Sequence, residues 1–341
     1  MAASHHEAFC ENVLGDRTLF RLARMASTEN TEVRSASGTA VAKEIAVRCP
    51  LCDADDYRVR YDSTLVEAVD PQRHYTSTSR EFGRFGRIVQ CRSCSIVYMN
   101  PRPHHLAVQD AYEQVEDRRY VEEEEGRVLT FSESLRHVQK FVPSGRLLDV
   151  GCHIGTFLEL AERGGFEVTG IEPSRWGAER ARQRLRGTIH RGVIEDVALH
   201  DGAFDAITMW DVIEHLPDPA STVRAIYSTL KPGGIFAVTT MDVDALFPRL
   251  AGKRWPWYMQ MHLVYFSKRT LGELLRRQGF EIVETTRHKR IVRISYLVSR
   301  IGTYSSLAER IVGMLTRPVA QRTVGVDLGD IITVIARKRA S

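Results

Sequence analysis

The pattern of hydrophobic and polar positions along the second half of the chain predicts both buried strands and helices. Together these elements predict an α/β fold. Short apolar runs such as residues 147–150 stop at a glycine, which is typical of strands buried on both faces of a parallel sheet. Residues 156–163 begin a helix directly after this run. This order of strand, turn and helix predicts a doubly wound, Rossmann-like sheet.

The first of these strands leads into a turn with two glycines, Gly151-Cys-His-Ile-Gly155. Glycine lets the backbone turn sharply and approach a ligand, and the helix that follows directs its first amide groups towards that ligand. The next strand ends on Glu172, where an acid can accept hydrogen bonds from two ribose hydroxyls. A dinucleotide-binding loop requires G-x-G-x-x-G, but His153 occupies the middle glycine position and no third glycine follows in register. The loop therefore fits NAD poorly.

Three ordered blocks resemble the class I S-adenosylmethionine-dependent methyltransferases. They are LLDVGCHIG at 147–155, FDAITMWDVIEHLPDP at 204–219 and LKPGG at 230–234. The resemblance spans about residues 128–286 and a last strand near 330–336. It implies a seven-stranded sheet, S-adenosylmethionine as cofactor and methyl transfer as the reaction. The alternatives are a dehydrogenase and a noncatalytic cofactor-binding scaffold.

The resemblance also implies a cofactor site. Asp149 is expected to orient the loop and the amino acid end of the cofactor, and Glu172 is expected to hold the ribose. His153 replaces the usual glycine, so it either narrows the pocket or lies beside the methionine carboxylate. A valine stands where relatives often carry an acid for the adenine amino group, which leaves Glu195, Asp196 or backbone carbonyls to serve there. The expected cofactor-binding residues are Asp149, Gly151, Cys152, His153, Gly155, Glu172 and Glu195.

Two histidines are the catalytic candidates. Methyl transfer is an in-line displacement, so the enzyme must align the acceptor with the sulfonium methyl group and remove a proton where the acceptor needs it. His215 follows the fourth strand, and His262 lies between the fifth strand and the next helix, in a segment at 242–266. Bracing of the loop is the alternative role for His215, and simple packing is the alternative for His262. Five aromatic residues of this segment are expected to cap the substrate: Trp255, Trp257, Tyr258, Tyr265 and Phe266.

Four cysteines near the N-terminal end form two C-x2-C pairs, Cys49 with Cys52 and Cys91 with Cys94, separated by 38 residues. This pattern predicts two knuckles that close one tetrahedral zinc site. Four thiolates leave zinc no open position, so the metal would be structural. Unliganded cysteines are the alternative. A zinc unit placed before this kind of domain resembles the domain order of the sugar C-methyltransferases of deoxysugar biosynthesis. It also resembles the order in methyltransferases of polysaccharide and natural-product pathways.

The segment at 287–328 is expected to be an insertion between the last two strands of the sheet. Apolar residues recur at helical spacing within 287–318, and the same stretch holds seven Lys or Arg residues against one acid, Glu309. A basic amphipathic helix of this kind can lie on an anionic membrane surface. The alternative is a pair of helices docked on the domain itself or on a second copy of the chain in a homodimer.

Composition narrows the class of partner. The chain has 341 residues and a net charge of +4, with 47 basic against 43 acidic side chains, so it lacks the basic excess of a nucleic-acid binder. A basic and aromatic run at 80–87 keeps RNA methylation as an alternative. No apolar run approaches the roughly 20 residues of a membrane span, and the first residues lack the apolar core of a signal peptide. We therefore expect a cytoplasmic protein, with peripheral membrane contact as an option.

The sequence thus predicts four consecutive parts. They are a disordered segment at 1–45, a four-cysteine zinc-binding module at 46–103, a helical connector at 104–145 and a methyltransferase domain at 146–341. The expected reaction is methyl transfer to a small-molecule acceptor, such as a sugar, a lipid-linked glycan or a natural-product intermediate. RNA methylation and a noncatalytic scaffold remain the alternatives.

Overall fold

The computed structural model describes residues 44–65, 70, 74–79, 81–301 and 305–340. The predicted disordered segment at 1–45 lies almost wholly outside the described residues. Of the helices in the described part of the chain, none is long and apolar enough to cross a membrane.

The cysteine-bearing part of the chain is built from short strands. Strands β3 and β4 form an antiparallel hairpin, with Cys91 and Cys94 at its turn, and β2 pairs with the other edge of β3. The second cysteine pair therefore lies at the turn of a hairpin. In chain order the strands are β1 (Glu44–Ile45), β2 (Tyr57–Tyr61), β3 (Ile88–Cys91), β4 (Val97–Met99) and β5 (Arg102–Pro103).

A helical connector follows, with α1 (His105–Gln114), α2 (Arg118–Glu122) and α3 (Glu124–Gln139). The side chain of Asp117 accepts a hydrogen bond from the Tyr120 amide and so caps the start of α2. Helix α3 begins one turn before Val128, the first residue of its apolar stripe. The polar residues of that extra turn form ion pairs with other parts of the protein: Glu124 with Arg184 and Glu125 with Arg293.

The second half alternates between strand and helix, as the apolar pattern predicts. Asp218 caps α6 with its side chain, and proline occupies the first turn of that helix, where a missing amide costs nothing. The elements are β6 (Gly145–Val150), α4 (Thr156–Arg163), β7 (Phe166–Glu172), α5 (Arg175–Arg184), β8 (Thr188–Arg191), β9 (Phe204–Trp210), α6 (Pro219–Thr229) and β10 (Leu230–Met241).

Two further segments complete the chain. The first contains α7 (Leu246–Ala251), β11 (Val264–Tyr265), α8 (Lys268–Arg277) and β12 (Phe280–Arg287). The second contains β13 (Arg290–Arg293), α9 (Ile294–Ile301), α10 (Ser306–Thr316), β14 (Thr323–Val326) and β15 (Ile331–Lys338).

The central sheet has seven strands in the order β12-β15-β10-β9-β6-β7-β8. Strand β15 runs antiparallel to both of its neighbours, while the pairs from β10 to β8 are parallel. Helices that alternate with parallel strands cover both faces of such a sheet. The prediction of a doubly wound, Rossmann-like, seven-stranded fold is confirmed.

The second insertion differs from a single amphipathic helix. Strands β13 and β14 form an antiparallel pair, and α9 and α10 connect them. The insertion docks on α3, where the Ile291 amide donates to Thr130 Oγ1 at 2.9 Å and Arg293 pairs with Glu125 at 2.8 Å. Helix α10 keeps apolar side chains exposed, including Met314 and Leu315. The expected membrane or homodimer contact of this segment stays a prediction.

The cysteine-bearing strands and the central sheet share one hydrophobic core. Ile88 and Tyr98 belong to the same buried cluster as Ile207 and Phe236. Strand β11, which follows the central strands in sequence, pairs with β4 and so extends the sheet that carries the cysteines. Burial of apolar side chains is the dominant favourable contribution to folding, so the stability of the two parts is coupled.

This shared core also explains a difference from the expected aromatic cap. Trp255, Tyr258, Tyr265 and Phe266 are almost completely buried in it. Trp257 is the member of the expected cap that lines a cavity. Alternating aromatic and polar residues around a Trp-Pro-Trp turn are compatible with a surface or with a core, and the pairing of β11 with β4 places them in the core.

Candidate active site

The loop between β6 and α4 has the backbone of a ligand-binding turn. Gly151 has a φ of +80°, and a Cβ at this position would lie only 2.5 Å from Cγ2 of Val212. His153 has a φ of +49°. This left-handed region favours glycine, so the histidine adopts the conformation of the residue that it replaces.

Hydrogen bonds to β7 fix the loop in this shape. The amides of Gly151 and Cys152 both donate to the Ile171 carbonyl, at 2.8 and 3.1 Å. The His153 amide donates to Oε2 of Glu172 at 2.8 Å. The loop is therefore pre-organised by the protein itself, which lowers the entropic cost of binding a ligand against it.

Glu172 is buried at the end of β7. Its second oxygen, Oε1, accepts from the Ser174 amide at 2.8 Å. Burial raises the pKa of this carboxyl to about 7, although the two amide donors oppose that shift. Each carboxylate oxygen has a second lone pair, so Glu172 can hold the loop and still accept hydrogen bonds from ribose hydroxyls.

Asp149 ends β6 directly before the loop and is 2% exposed. Thr208 Oγ1 donates to its Oδ1 at 2.7 Å, and burial raises the pKa of the carboxyl to about 7. This position next to the loop is compatible with the expected role of orienting it. Because Asp149 is buried, its side chain offers no exposed surface for direct contact with a ligand.

A stack of side chains covers the loop at His153. The ring centroids of Tyr120 and His153 are 3.8 Å apart. The guanidinium carbon of Arg127 lies 3.7 Å from the centroid of the Tyr120 ring. Burial and the nearby Arg127 charge lower the pKa of His153 to about 3, so the imidazole is neutral. Its Nδ1 has no hydrogen-bond partner within the described residues. A buried polar atom of this kind suits a ligand group beside the loop.

The other expected cofactor residues have different surroundings. Cys152 is buried, and burial raises the pKa of its thiol, so it serves as a packing residue. Gly155 precedes α4, and a side chain there would meet Leu185 at 2.8 Å, so this glycine is required for packing against the end of α5. Glu195 is exposed and accepts a hydrogen bond from Thr222.

A cavity of about 240 Å³ lies at the carboxyl edge of β9 and β10, where Asp211 and Thr239 contribute to its wall. Val212, the next residue after Asp211, contacts Gly151, so the cavity is adjacent to the glycine loop. Open α/β sheets bind their ligands at this edge. Most of the wall is apolar, including Phe82, Phe131, Phe247, Pro256, Trp257 and Leu297.

Asp211 is one of three carboxylates on this wall, with Glu123 and Asp330, and it is not among the site residues that the sequence predicts. It has a φ of +55°, and its Oδ2 accepts from Arg290 Nη2 at 2.7 Å. Its Oδ1 is buried without a hydrogen-bond partner among the described residues. Backbone strain and an unpaired polar atom at one residue are frequent at functional sites. The available signal was its position, directly after a buried strand and inside the second of the three sequence blocks.

The two candidate histidines lie against each other, with ring centroids 4.8 Å apart. Nδ1 of His262 donates to the Trp257 carbonyl at 2.7 Å, and Nδ1 of His215 lies 3.0 Å from the Met261 carbonyl oxygen and 2.9 Å from the Tyr112 hydroxyl. Burial lowers the pKa of both rings, so both are neutral. Neither histidine is among the residues that line the cavity.

Glu214 joins this pair. It is 1% exposed, and its Oε2 accepts from Thr240 Oγ1 at 2.8 Å. Ligand atoms from Glu214, His215 and His262 all lie within 4.8 Å of one another. One carboxylate and two imidazoles could either hold a divalent metal ion or share protons. Burial raises the pKa of the Glu214 carboxyl to about 8, which favours its protonated form.

The four cysteines of the N-terminal part converge as their spacing predicts. Cys49 Sγ lies 3.4 Å from Cys94 Sγ, and Cys52 Sγ lies 3.6 Å from Cys91 Sγ. Sulfur ligands at ~2.3 Å from a tetrahedral zinc ion lie ~3.8 Å apart, so the observed separations are close to those of a four-thiolate site. The residues present therefore fit zinc.

Comparison with known proteins gives the following similarities. Residues 119–285 match a family described as "Methyltransferase domain". Over 131 residues the chain is 31% identical to a protein of Psychrobacter cryohalolentis named ubiquinone biosynthesis O-methyltransferase, which covers 36% of this chain and 51% of that protein. A protein of the same name from Alkalilimnicola ehrlichii is 38% identical over 103 residues, or 28% of this chain and 42% of that protein. The chain thus spans about half the length of these curated relatives.

Among solved structures, a Thermotoga maritima protein titled SAM-dependent methyltransferase, possible histamine N-methyltransferase, has a TM-score of 0.43 and 24% sequence identity. It covers 63% of this chain and 91% of its own.

Proposed function

We propose that this chain, whose residues 119–285 match a methyltransferase-domain family, transfers a methyl group from S-adenosylmethionine to a small-molecule acceptor. One observation carries the proposal: a mostly apolar cavity with a carboxylate on its wall lies beside the pre-organised glycine loop. A binding loop and a separate acceptor space at the same sheet edge are what a two-substrate transfer reaction requires.

The cofactor supplies an electrophilic methyl group when it is bound. Glu172 would hold the ribose, and the loop that includes His153 would contact the methionine end. The Tyr120 ring lies between Arg127 and that loop, and this position of the guanidinium suits a contact with the methionine carboxylate. Glu195 stays the proposed partner of the adenine amino group, since its exposed carboxylate can accept a second hydrogen bond.

Proton removal from the acceptor has two candidate routes. Asp211 is the direct one, because it lines the cavity and its Oδ1 has no hydrogen-bond partner among the described residues, while Arg290 holds the other oxygen. The neutral pair of His215 and His262 lies outside the cavity wall. Trp257 connects the pair to the cavity, because this residue lines the cavity and its carbonyl accepts a hydrogen bond from His262. We propose Asp211 as the group that contacts the acceptor, and the two histidines as the alternative base.

We further propose that Cys49, Cys52, Cys91 and Cys94 hold one structural zinc ion. The sulfur separations support this assignment, and four thiolates leave the metal no open coordination position for chemistry. The zinc would stabilise the strands that pack on the central sheet.

The apolar cavity favours a small organic acceptor over a polynucleotide. The chain's relatives are named for the biosynthesis of ubiquinone, a small molecule, and this supports the same class of acceptor here without identifying it. RNA methylation and a noncatalytic scaffold remain the competing functions.

Methyl-labelled S-adenosylmethionine tests the proposal. The protein would be incubated with it and with three fractions of a bacterial extract: small molecules, lipids and RNA. We expect label to enter the small-molecule or lipid fraction. Label confined to RNA would support the RNA alternative, and cofactor binding without transfer to any fraction would support the scaffold. Either result contradicts the proposed function.

A further inference from the structure

We infer that the methyl acceptor carries an oxyanion, a carboxylate or a phosphate, and that Arg300 binds it inside the cavity. This inference rests on the proposed function and adds the substrate class to it. The second insertion, which supplies Arg300 from α9, would then be a specificity element for acidic acceptors.

Residues with an unpaired buried polar atom are concentrated on the cavity wall. Nine buried side-chain polar atoms lack a hydrogen-bond partner within the described residues. Four of the nine belong to residues that line this one cavity. Since buried polar groups are nearly always hydrogen-bonded, these four indicate a ligand that completes them. They are Arg127 Nε, Trp210 Nε1, Asp211 Oδ1 and Arg300 Nε, three donors and one acceptor.

The charges on the wall are compensated unequally. Asp211 forms an ion pair with Arg290, and Asp330 accepts hydrogen bonds from the indoles of Trp255 and Trp257, at 2.8 and 3.1 Å. Arg127 and Arg300 line the same cavity, and in the part of the chain that the structure describes neither forms an ion pair. Glu123 also lines it and is not paired with either arginine there. Neither Arg127 nor Arg300 thus has a carboxylate partner within the described residues, although the wall as a whole carries three arginines and three carboxylates.

Arg300 is held rigidly by its neighbours. Nη1 donates to the Ser79 carbonyl at 2.7 Å, and Nη2 donates to the Tyr296 hydroxyl. The guanidinium carbon lies 4.8 Å from the Phe82 ring and 4.3 Å from the Tyr296 ring. These contacts fix the guanidinium but leave its Nε without a partner. Arginine in a fixed orientation is well suited to an oxyanion.

The two unpaired arginines belong to different ligands. Arg127 contacts Tyr120, which stacks on His153 of the glycine loop, so it lies on the cofactor side. Arg300 contacts Phe82, whose ring lies 6.3 Å from that of Trp257, on the wall formed by the insertion and the N-terminal part. We therefore assign Arg127 to the carboxylate of the cofactor and Arg300 to the acceptor.

The remaining surfaces define the rest of the acceptor. Asp211 Oδ1 suits a hydroxyl or amine that donates a hydrogen bond, which is the group to be methylated. Phe131, Phe247 and Leu297 suit an apolar body between that group and the oxyanion. The substrate class is therefore a small amphipathic acid or phosphate ester with a nucleophilic hydroxyl or amine.

Binding of simple probes tests the inference without knowledge of the true acceptor. Calorimetry in the presence of S-adenosylhomocysteine would compare benzoate and phenyl phosphate with benzyl alcohol, which has the same ring but no charge. We expect the two anions to bind at least ~10-fold more tightly than the alcohol, because hydrogen bonds to charged groups contribute ~1.5–3 kcal/mol. The ratio between benzoate and phenyl phosphate then distinguishes carboxylate from phosphate acceptors.

Substitution of Arg300 provides the control. Arg300→Gln should remove the preference for anions, and Arg300→Lys, which keeps the charge, should retain part of it. Arg310→Gln changes an exposed arginine of α10 and should leave the preference intact. Equal binding of charged and neutral probes to the wild type, including no binding of either, would overturn the inference, as would an anion preference that survives in Arg300→Gln.

Failure of the inference can be told apart from failure of the proposed function. Retained S-adenosylmethionine binding by Arg300→Gln would show that this variant is folded. Cofactor binding and methyl transfer without an anion preference would refute the acidic acceptor alone. Absence of cofactor binding in the wild type would refute the proposed function itself.

Discussion

Replacement of Asp211 by asparagine is expected to lower kcat by about two to four orders of magnitude, with little change in affinity for S-adenosylmethionine. Asp211 lines the cavity and its Oδ1 has no hydrogen-bond partner among the described residues, and asparagine cannot take up a proton there. Asparagine tolerates the positive φ of this position, so the backbone should be retained. The measurement is transfer of labelled methyl groups to the acceptor fraction under single-turnover conditions.

The two histidines are the alternative base, and that role predicts a different set of kcat losses. If the pair of His215 and His262 removes the proton, His215→Ala and His262→Ala should each show the large loss, and Asp211→Asn should remain close to wild type. A positioning role predicts smaller losses, because both rings hydrogen-bond to backbone carbonyls behind the cavity. Near-normal turnover in Asp211→Asn would contradict the assignment of Asp211.

Loss of one zinc ligand is expected to destabilise far more than the N-terminal strands. The sequence alone predicts that Cys91→Ser unfolds a separate module and leaves cofactor binding intact. In the structure, residues beside this cysteine share a hydrophobic core with the central sheet, and β4 pairs with β11. Structural zinc contributes roughly 10–16 kcal/mol in zinc-finger peptides, comparable to the whole stability of a domain. We therefore expect Cys91→Ser to lose zinc, to unfold at a much lower temperature and to lose most of its affinity for S-adenosylmethionine.

Metal analysis, thermal unfolding and calorimetry on the same preparations would check this prediction. Ser93→Ala is the matched control, because Ser93 is exposed and lies between the two cysteines of the second pair. It should keep full zinc content and the unfolding temperature of the wild type. Full zinc content in Cys91→Ser would refute the four-cysteine site. A zinc-free Cys91→Ser that binds the cofactor normally would refute the coupling through the shared core.

The features that the sequence predicts well depend on neighbours along the chain. The last strand, expected near 330–336, is found as Ile331–Lys338, and the helix expected at 156–163 has those bounds. Local apolar patterns and glycine spacing determine such elements, since each is formed by consecutive residues. The four cysteines converge for a related reason: the C-x2-C spacing itself fixes how each pair presents its thiols.

The acceptor cavity was not predictable in the same way. Asp211 and its partner Arg290 come from segments 79 residues apart, and Arg300 reaches the cavity from an insertion whose apolar stripe indicated a surface helix. Which face of that helix packs inward depends on how the insertion docks on α3 through β13, a long-range contact. The aromatic residues of 255–266 pose the same problem, because only the pairing of β11 with β4 determines that four of them are core.

Calorimetry with S-adenosylmethionine and with NAD, on the wild type and on Glu172→Ala, tests the central claim most directly. The claim is that the loop from Gly151 to Gly155, together with Glu172, binds S-adenosylmethionine. The account predicts micromolar binding of S-adenosylmethionine to the wild type, marked weakening in Glu172→Ala and no detectable binding of NAD, because the loop lacks the glycine spacing that a pyrophosphate requires. Tight binding of NAD without binding of S-adenosylmethionine would contradict it.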